Sequence, residues 1–165
     1  MREITPGLTF IRTLLNNPPD ATAWVTGNRN YPGLSGLVKF YFTDYEGTLI
    51  EAEFFGLPNV TTPGSTDFYA MHIHEFGDCT PPFDKTGGHY NREDRVPNLH
   101  PEHSGDLIPL FGNQGYAWTA FYYKRIVVPE ITGKSVVVHR MRDDFTSQPA
   151  GDSGEKIACG VIRIV

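Results

Sequence analysis

The alternation of hydrophobic and polar positions along the chain predicts a series of short β-strands separated by turns. Successive side chains of a strand point to opposite faces, so a period of two marks a half-buried strand. No stretch of about ten or more residues repeats with the roughly 3.6-residue period of a helix. Strand-like stretches occupy residues 21–26, 37–43, 48–55, 67–76, 115–125, 133–139 and 157–165, with a short additional piece at 126–128.

Residues 1–20 are largely polar and end in two prolines, so we interpret them as an N-terminal extension with at most a short helical turn. We expect residues 21–165 to form one domain. Two long segments, 77–114 and 140–155, show no sustained periodicity, and connections of that length usually have a function. Short strands between turn clusters favour an all-β sandwich or barrel with two long functional loops.

Composition narrows the choice of partners and of compartment. The net charge of −5 argues against nucleic acid as the main partner, and no window of about 18 apolar residues predicts a membrane span. The N-terminus lacks the charged start, apolar run and cleavage site of an export signal, so we expect a cytoplasmic protein or an exported mature form. The two cysteines, Cys79 and Cys159, allow either one internal disulfide or two buried thiols.

All six histidines lie between His72 and His139, and this concentration favours metal binding. His72 and His74 lie two residues apart on a predicted strand, so both imidazoles leave the same face. His89 follows two glycines that give the backbone unusual freedom, and His139 ends another predicted strand. Imidazole suits copper, zinc, iron and nickel. These four histidines are therefore candidate ligands of one metal ion.

A second candidate group lies within the first long segment, where His100, His103 and Asp106 follow one another at steps of three residues. In a turn, this spacing brings the three side chains to one side. With one more imidazole they would complete a closed site of three nitrogens and one oxygen, the pattern of structural zinc. Both groups need His89, whose two ring nitrogens would bridge two metal ions once the ring has lost its second proton.

The sequence resembles the copper/zinc superoxide dismutase family over about residues 21–165. The motifs that carry the resemblance are HIHEFGDCT at 72–80, GGHYN at 87–91, HSGDL at 103–107, VVVH at 136–139 followed by DDF at 143–145, and GDSGEKIACGVI at 151–162. The resemblance implies an eight-stranded Greek-key β-barrel, an immunoglobulin-like sandwich. It also implies conversion of superoxide to O₂ and H₂O₂ by alternate reduction and oxidation of a histidine-bound copper that is bridged to a structural zinc.

The resemblance also assigns roles to individual residues. It places copper on His72, His74, His89 and His139. It places zinc on His89, His100, His103 and Asp106. The family's histidine lies further before the HSGDL motif than His100 does, so an open zinc site without His100 is the alternative. The resemblance further implies that Asp143 accepts hydrogen bonds from ligand imidazoles of both sites, and that Cys79 and Cys159 form a disulfide.

The main departure from the family is Lys156. It stands where members normally carry an arginine that guides the anionic substrate to the copper. Lysine keeps the positive charge but lacks the planar fork of donors. We therefore expect a working but slower enzyme, with Lys156 and His89 as its catalytic residues.

Two other functions and the oligomeric state stay open at this point. A metal store or chaperone would use the same barrel to bind copper or zinc without catalysis. A cupin-type iron oxygenase also carries two histidines with this spacing, but it expects a glutamate where this chain has Asp78 or Cys79. The apolar groups Phe54-Phe55 and Tyr122-Tyr123 fit either the core or a homodimer interface.

Overall fold

A computed structural model describes residues 5–59 and 66–165 of the chain. Within these ranges the chain forms helices α1 (Pro6–Asn16) and α2 (Val128–Ile131) and a single 3-10 turn (Asp84–Thr86). The strands are β1 (Ala21–Gly27), β2 (Ser35–Phe42), β3 (Thr48–Phe55), β4 (Phe68–Tyr69), β5 (Met71–His74), β6 (Leu110–Phe111), β7 (Ala117–Tyr123), β8 (Ser135–His139) and β9 (Lys156–Ile164).

Seven strands form one antiparallel sheet in the order β5-β8-β9-β1-β2-β3-β7, and β4 pairs with β6. Only Ala70 separates β4 from β5, so the two are one interrupted strand and the described chain has the eight strands expected. β6 leads into β7 through a turn closed by the bridge between Asn113 and Tyr116. The sheet therefore curls into the predicted Greek-key barrel, in which β1 lies beside β9 and β3 beside β7.

The alternating pattern of β2 and β3 fills the barrel interior. Lys39 and Glu51 lie opposite each other on the outer face, with Nζ and Oε2 3.2 Å apart. The apolar residues at the intervening positions are fully buried: Val38, Phe40, Ile50, Ala52 and Phe54. Burial of alternate side chains is thus the reason that these residues form strands, and β3 has the predicted bounds.

The N-terminal segment contains an 11-residue helix, so the expectation of at most a short helical turn was wrong. Thr5 caps the start of α1 and Pro6 stands in its first turn, where a missing N–H costs nothing. Phe10 contacts Tyr45 and Tyr122, with ring centroids 5.6 and 5.0 Å apart. The hydrophobic pattern of the sequence did not indicate this helix, because several of its apolar side chains are exposed.

Two other stretches depart from the predicted strands. Residues 126–128 lead into α2 instead of forming a strand, and Pro129 in the first turn of α2 has no N–H to donate to a sheet. The strand expected at 67–76 is interrupted at Ala70, whose N–H donates to Met141 O and whose carbonyl accepts from His139 N, at 2.9 and 2.8 Å. Ala70 therefore pairs with the start of the second long loop.

The apolar pairs that fitted either the core or a homodimer interface differ in burial. Phe54 is fully buried, whereas Phe55 is exposed, and Tyr122 and Tyr123 are half-buried. A homodimer stays a prediction. Among the residues that the structure describes, no helix has the length and apolar character needed to cross a bilayer.

Candidate metal centre

Strand β5 aims two histidines at the same point outside the barrel. All four of its residues are buried. Met71 and Ile73 belong to the hydrophobic core, so the alternation of a strand turns His72 and His74 to the opposite face. The long loop between β5 and β6 covers them there, so His72 is 0% and His74 only 2% exposed.

The long loop returns twice along β5 and brings further ligands to these histidines. Isolated bridges place His89 beside His74 and Asp106 beside His72. Ile73 holds both passes, because its carbonyl accepts from Tyr90 N at 2.8 Å and its N–H donates to Gly105 O at 2.9 Å. Short backbone ladders of this kind leave no periodic pattern in the sequence, which explains why the segment showed none.

The first group consists of the four histidines expected to bind copper. Each of His72, His74, His89 and His139 offers a ring nitrogen, and these four atoms lie within 4.8 Å of one another. His74 Nδ1 lies 2.9 Å from a backbone carbonyl and His139 Nδ1 lies 3.2 Å from another, so each would carry its proton on Nδ1. The Nε2 lone pairs of these two rings are then free to face a metal ion.

The carbonyl that accepts from His74 belongs to Gly87, one of the two glycines before His89. Gly87 has a φ of +74°, and a β-carbon there would lie 2.7 Å from a carboxylate oxygen of Glu75. The Glu75 carboxylate itself accepts from the N–H of Gly88 at 3.0 Å. Glycine is therefore favoured at position 87 both by backbone conformation and by space.

The second group surrounds Asp106 and contains the residues expected to bind zinc. His89 Nδ1 lies 2.6 Å from Asp106 Oδ1. His100 Nδ1 and His103 Nδ1 lie 3.2 and 3.0 Å from the other carboxylate oxygen. Ligand atoms of His72, His89, His100 and Asp106 also lie within 4.8 Å of one another. The structure therefore brings His100 to Asp106 despite its unusual spacing in the sequence.

Asp143 joins the two groups, and its carboxylate is itself buried. Its Oδ2 lies 2.8 Å from His72 Nε2 and its Oδ1 lies 2.7 Å from His100 Nε2. A carboxylate is an acceptor only, so both rings carry a proton on Nε2 and turn their Nδ1 lone pairs to the metal groups. Gly151, with a φ of +68°, lies against this contact, and a β-carbon there would collide with Asp143 and His100.

Several nitrogens in these groups fit a bound cation. Within the described residues, four buried ring nitrogens have no hydrogen-bond partner: His72 Nδ1, His89 Nε2, His100 Nδ1 and His103 Nδ1. Buried polar atoms are normally paired, because an unpaired one costs about 1 to 3 kcal/mol. A metal ion in each group would satisfy these nitrogens, and three imidazoles with one carboxylate form a donor set typical of zinc.

The ionisation of these residues also suits metal binding. Desolvation, followed by the charges of neighbouring imidazoles, holds the pKa values of His72 and His74 well below their ordinary value. Desolvation lowers the pKa of His139 to about 4. Burial opposes the charge of Asp106, but the hydrogen bond from His89 and the nearby imidazoles outweigh it and lower its pKa. Neutral imidazole and ionised carboxylate are the forms that bind metals.

A cavity of about 410 Å³ opens onto the first group, where it is lined by His74, His89 and His139. Lys156 lines the same cavity, and its ammonium donates to Thr86 Oγ1 at 2.9 Å. Burial lowers the pKa of Lys156. Lys156, which the sequence identified as the main departure from the family, therefore lies at the accessible side of the first group.

Cys79 and Cys159 form a disulfide that closes a loop of 80 residues. Cys159 lies in β9 and Cys79 lies in the long loop, so the bond ties the segment before His89 to the barrel. Phe83 and Val137 pack with Cys159 in a small apolar cluster outside the main core. The alternative of two buried thiols is therefore wrong.

Sequence reasoning missed Gln148, which contacts the second group through the backbone of His100. Its Oε1 accepts from His100 N at 2.9 Å and its Nε2 donates to His100 O at 2.6 Å. A lone glutamine in a polar loop gives no signal in a sequence, because its partner lies 48 residues away.

The fold and these side chains define a β-barrel protein with two adjoining groups of metal-ligating residues, and ligand atoms of His72 and His89 lie close to both. A sequence model of copper/zinc superoxide dismutase (SODC) matches residues 34–162. The chain is 36% identical over 132 residues to a Cu-Zn superoxide dismutase of Caulobacter vibrioides, which covers 71% of this chain and 72% of the relative. It is 33% identical to Cu-Zn superoxide dismutase 3 of Arabidopsis thaliana, over 87% of this chain and 90% of that one.

A solved structure has the same fold. The clock protein EA4 superimposes with a TM-score of 0.72 at 25% sequence identity, over 89% of this chain and 96% of that chain. The chain belongs to the copper/zinc superoxide dismutase family.

Proposed function

We propose that this protein is a superoxide dismutase that uses copper in the first group and zinc in the second. One superoxide is oxidised to O₂, and a second superoxide is reduced and takes up two protons to give H₂O₂. Copper supplies this one-electron redox chemistry when it is bound, and zinc does not change its oxidation state. The observation that carries the proposal is His89, whose Nδ1 faces Asp106 while its Nε2 lies among the other three histidines.

In this proposal His89 also handles a proton. Its Nε2 is buried and has no hydrogen-bond partner among the described residues, and it belongs to the ring that lines the cavity. A proton held at that nitrogen can pass to a reduced substrate in the cavity. Nδ1 of the same ring lies 2.6 Å from Asp106 Oδ1, so a cation held by these two atoms would fix the ring while Nε2 carries the proton.

Lys156 is the proposed guide for the anionic substrate. Its ammonium also lies 3.4 Å from Phe83 O and 3.3 Å from Gly87 O, so the charge is held at one side of the cavity. Among the described residues that line the cavity, Asp152 contributes an opposing charge. A cation beside the first group attracts superoxide against the net charge of −5.

The difference in access between the two groups supports different roles for the two ions. The cavity is lined by His74, His89 and His139, whereas none of His100, His103 and Asp106 lines it. A closed group of this kind suits a structural ion, and the group at the cavity suits the ion that meets substrate.

The test combines metal analysis with turnover. Full-length protein loaded with copper and zinc is analysed for both elements, and superoxide decay is followed by stopped-flow absorbance. We expect decay faster than with the same concentration of copper bound to a chelator. A protein that holds both metals stoichiometrically but gives no acceleration would instead be a metal store or chaperone.

Lys156 provides the matched variants. We expect Lys156→Gln to slow the reaction several-fold and Lys156→Arg to raise its rate, because arginine adds a second donor direction. Lys85→Gln removes the same charge from an exposed side chain outside the cavity lining and serves as the control. Equal rates for Lys156→Gln and Lys85→Gln would contradict the proposed role of Lys156.

A further inference from the structure

The segment from His100 to His103 carries two of the proposed zinc ligands but belongs to no strand or helix. Its local support consists of short-range bonds: Glu102 N donates to Leu99 O at 2.7 Å, Asp106 N donates to His103 O at 3.2 Å, and His103 N donates to the Asp106 carboxylate at 2.9 Å. Backbone carbonyls outside regular structure need other donors when they are shielded from water. The position of both imidazoles therefore depends on what holds this segment.

Side chains from three other parts of the chain donate to all four of its carbonyls. Two arginines and one glutamine are the donors, and they lie 7 to 48 residues away in the sequence. The hydrogen bonds are Gln148 Nε2 to His100 O at 2.6 Å, Arg125 Nη1 to Pro101 O at 2.6 Å, Arg95 Nε to Glu102 O at 2.5 Å, and Arg125 Nη1 to His103 O at 3.4 Å.

The two arginines are themselves locked by Glu102. One carboxylate oxygen of Glu102 lies 3.2 Å from Arg95 Nη2 and 3.3 Å from Arg125 Nη2. Each guanidinium thus uses one nitrogen for the carboxylate and another for a carbonyl, at positions fixed by its planar fork, whereas an ammonium presents all its donors from a single nitrogen. Glu102 also offsets part of the positive charge that two arginines bring near a cation site.

Arg125 links the segment to the barrel. It lies two residues after the end of β7 and over the ring of Tyr123, 5.9 Å from its centroid. The Tyr123 hydroxyl donates to Asp106 O at 2.8 Å. The end of one barrel strand therefore fixes both the His100–His103 segment and the carboxylate residue of the same group.

Gln148 links the segment to the second long loop. Its amide pairs with both backbone polar groups of His100, at 2.9 and 2.6 Å. The same loop supplies Asp143 to the ring of His100. The backbone and the side chain of His100 are thus held by one loop, which also lines the cavity of the first group.

We propose that Arg125 and Gln148 are positioning residues that hold His100 and His103 in the geometry of the second metal group before the ion binds. The inference rests on the proposed zinc-binding function of that group. Residues that hold ligands in place typically change metal affinity by about 10- to 100-fold when they are replaced. A residue with only a general structural role would lower stability and leave the affinity of the folded protein unchanged.

The test measures Zn²⁺ affinity of the full-length, metal-free protein by competition with a chromophoric chelator. Arg125→Gln is expected to weaken binding at least about tenfold. Arg125→Lys restores the charge but not donation from two separate nitrogens, so we expect its Zn²⁺ affinity to remain below that of the parent. The visible spectrum of Co²⁺ in the second group reports geometry independently, and we expect Arg125→Gln to lower its intensity as the tetrahedral arrangement loosens.

Arg92→Gln is the matched control. Arg92 lies in the same surface depression as Arg125 and pairs with Asp94 and Glu130, and its side chain contacts none of the four carbonyls. We expect its Zn²⁺ affinity to stay within about twofold of the parent. Equal losses for Arg92→Gln and Arg125→Gln, or full recovery in Arg125→Lys, would show a charge effect and overturn the positioning role.

Two further variants complete the test: Gln148→Leu probes the second positioning residue, and His103→Ala removes a proposed zinc ligand. If Arg125→Gln does not fold, Gln148→Leu, which changes no charge, decides by the same affinity and spectrum, and values equal to those of the parent overturn the proposal. His103→Ala must abolish tight Zn²⁺ binding. If it does not, the zinc assignment itself is wrong and both proposals fall, whereas an intact assignment with unchanged variants overturns only the positioning role.

Discussion

Replacing Asp143 by asparagine tests how one carboxylate prepares both metal groups. Asp143 accepts from His72 Nε2 through one oxygen, and from His100 Nε2 and Phe145 N through the other, at 2.8, 2.7 and 2.7 Å. An asparagine keeps one acceptor and gains a donor. Whichever way the amide turns, its NH₂ group faces one ring that already donates, so that ring must move its proton to Nδ1.

The ring that changes tautomer loses the lone pair it directed at a metal ion. The other ring loses the negative charge that made it more basic. We expect the affinity for at least one ion to fall about 10- to 100-fold, which corresponds to about 1.4 to 2.8 kcal/mol. Both affinities are measured on the metal-free protein by competition with chelators, and ¹⁵N spectra of the histidine rings report the tautomers directly.

Asp144→Asn is the control for this experiment. Asp144 is the next residue and accepts from Thr146 N and Ser147 N at 2.8 Å, but it contacts neither ring. We expect Asp144→Asn to bind both ions as the parent does. Unchanged tautomers and unchanged affinities in Asp143→Asn would refute the role assigned to this carboxylate.

Three further predictions concern stability and folding. The pKa of His139 is about 4 in the fold, so the unfolded chain binds protons first as the pH falls, and this residue alone should cost the metal-free protein about 3 kcal/mol between roughly pH 6.5 and 4. The lowered pKa values of His72 and His74 add to this loss, and a flat profile in urea titrations would contradict the prediction. Replacing Cys159 by serine removes the closure of 80 residues and should lower the free energy of unfolding by up to about 4 kcal/mol at pH 7; a loss below about 1 kcal/mol would argue against the bond as a constraint on the unfolded chain. Phe10→Ala removes two aromatic contacts of α1, and should speed amide exchange across this helix without altering metal affinity; unchanged exchange would show that other contacts hold α1.

The sequence predicted the barrel because several of its strands alternate over much of their length. In the middle of β2 and the second half of β3, buried side chains alternate with more exposed ones, and this period of two is visible without a structure. Helix α1 escaped prediction because its contact with the barrel depends on Phe10, while other apolar positions remain exposed. The interruption at Ala70 escaped because it arises from pairing with residues almost 70 positions later.

The metal groups were predicted for a different reason. His and Asp are common metal ligands, so their pattern indicated metal binding, and the family resemblance assigned each residue to copper or zinc. The structure then brings His89, His100 and Asp106 together as expected. Arg125 and Gln148 could not be found in this way, because they act through backbone carbonyls, and a carbonyl is present at every position of a chain.

Strand β5 restricts how the metal preference of this protein could be redesigned. Its two outward positions are histidines and its two inward positions, Met71 and Ile73, are sealed in the core. Sliding a donor by one place along the strand would put an imidazole into the core and an apolar residue beside the ion. A change of donor type is therefore less restricted at His103, which belongs to no strand and is not bound by this alternation.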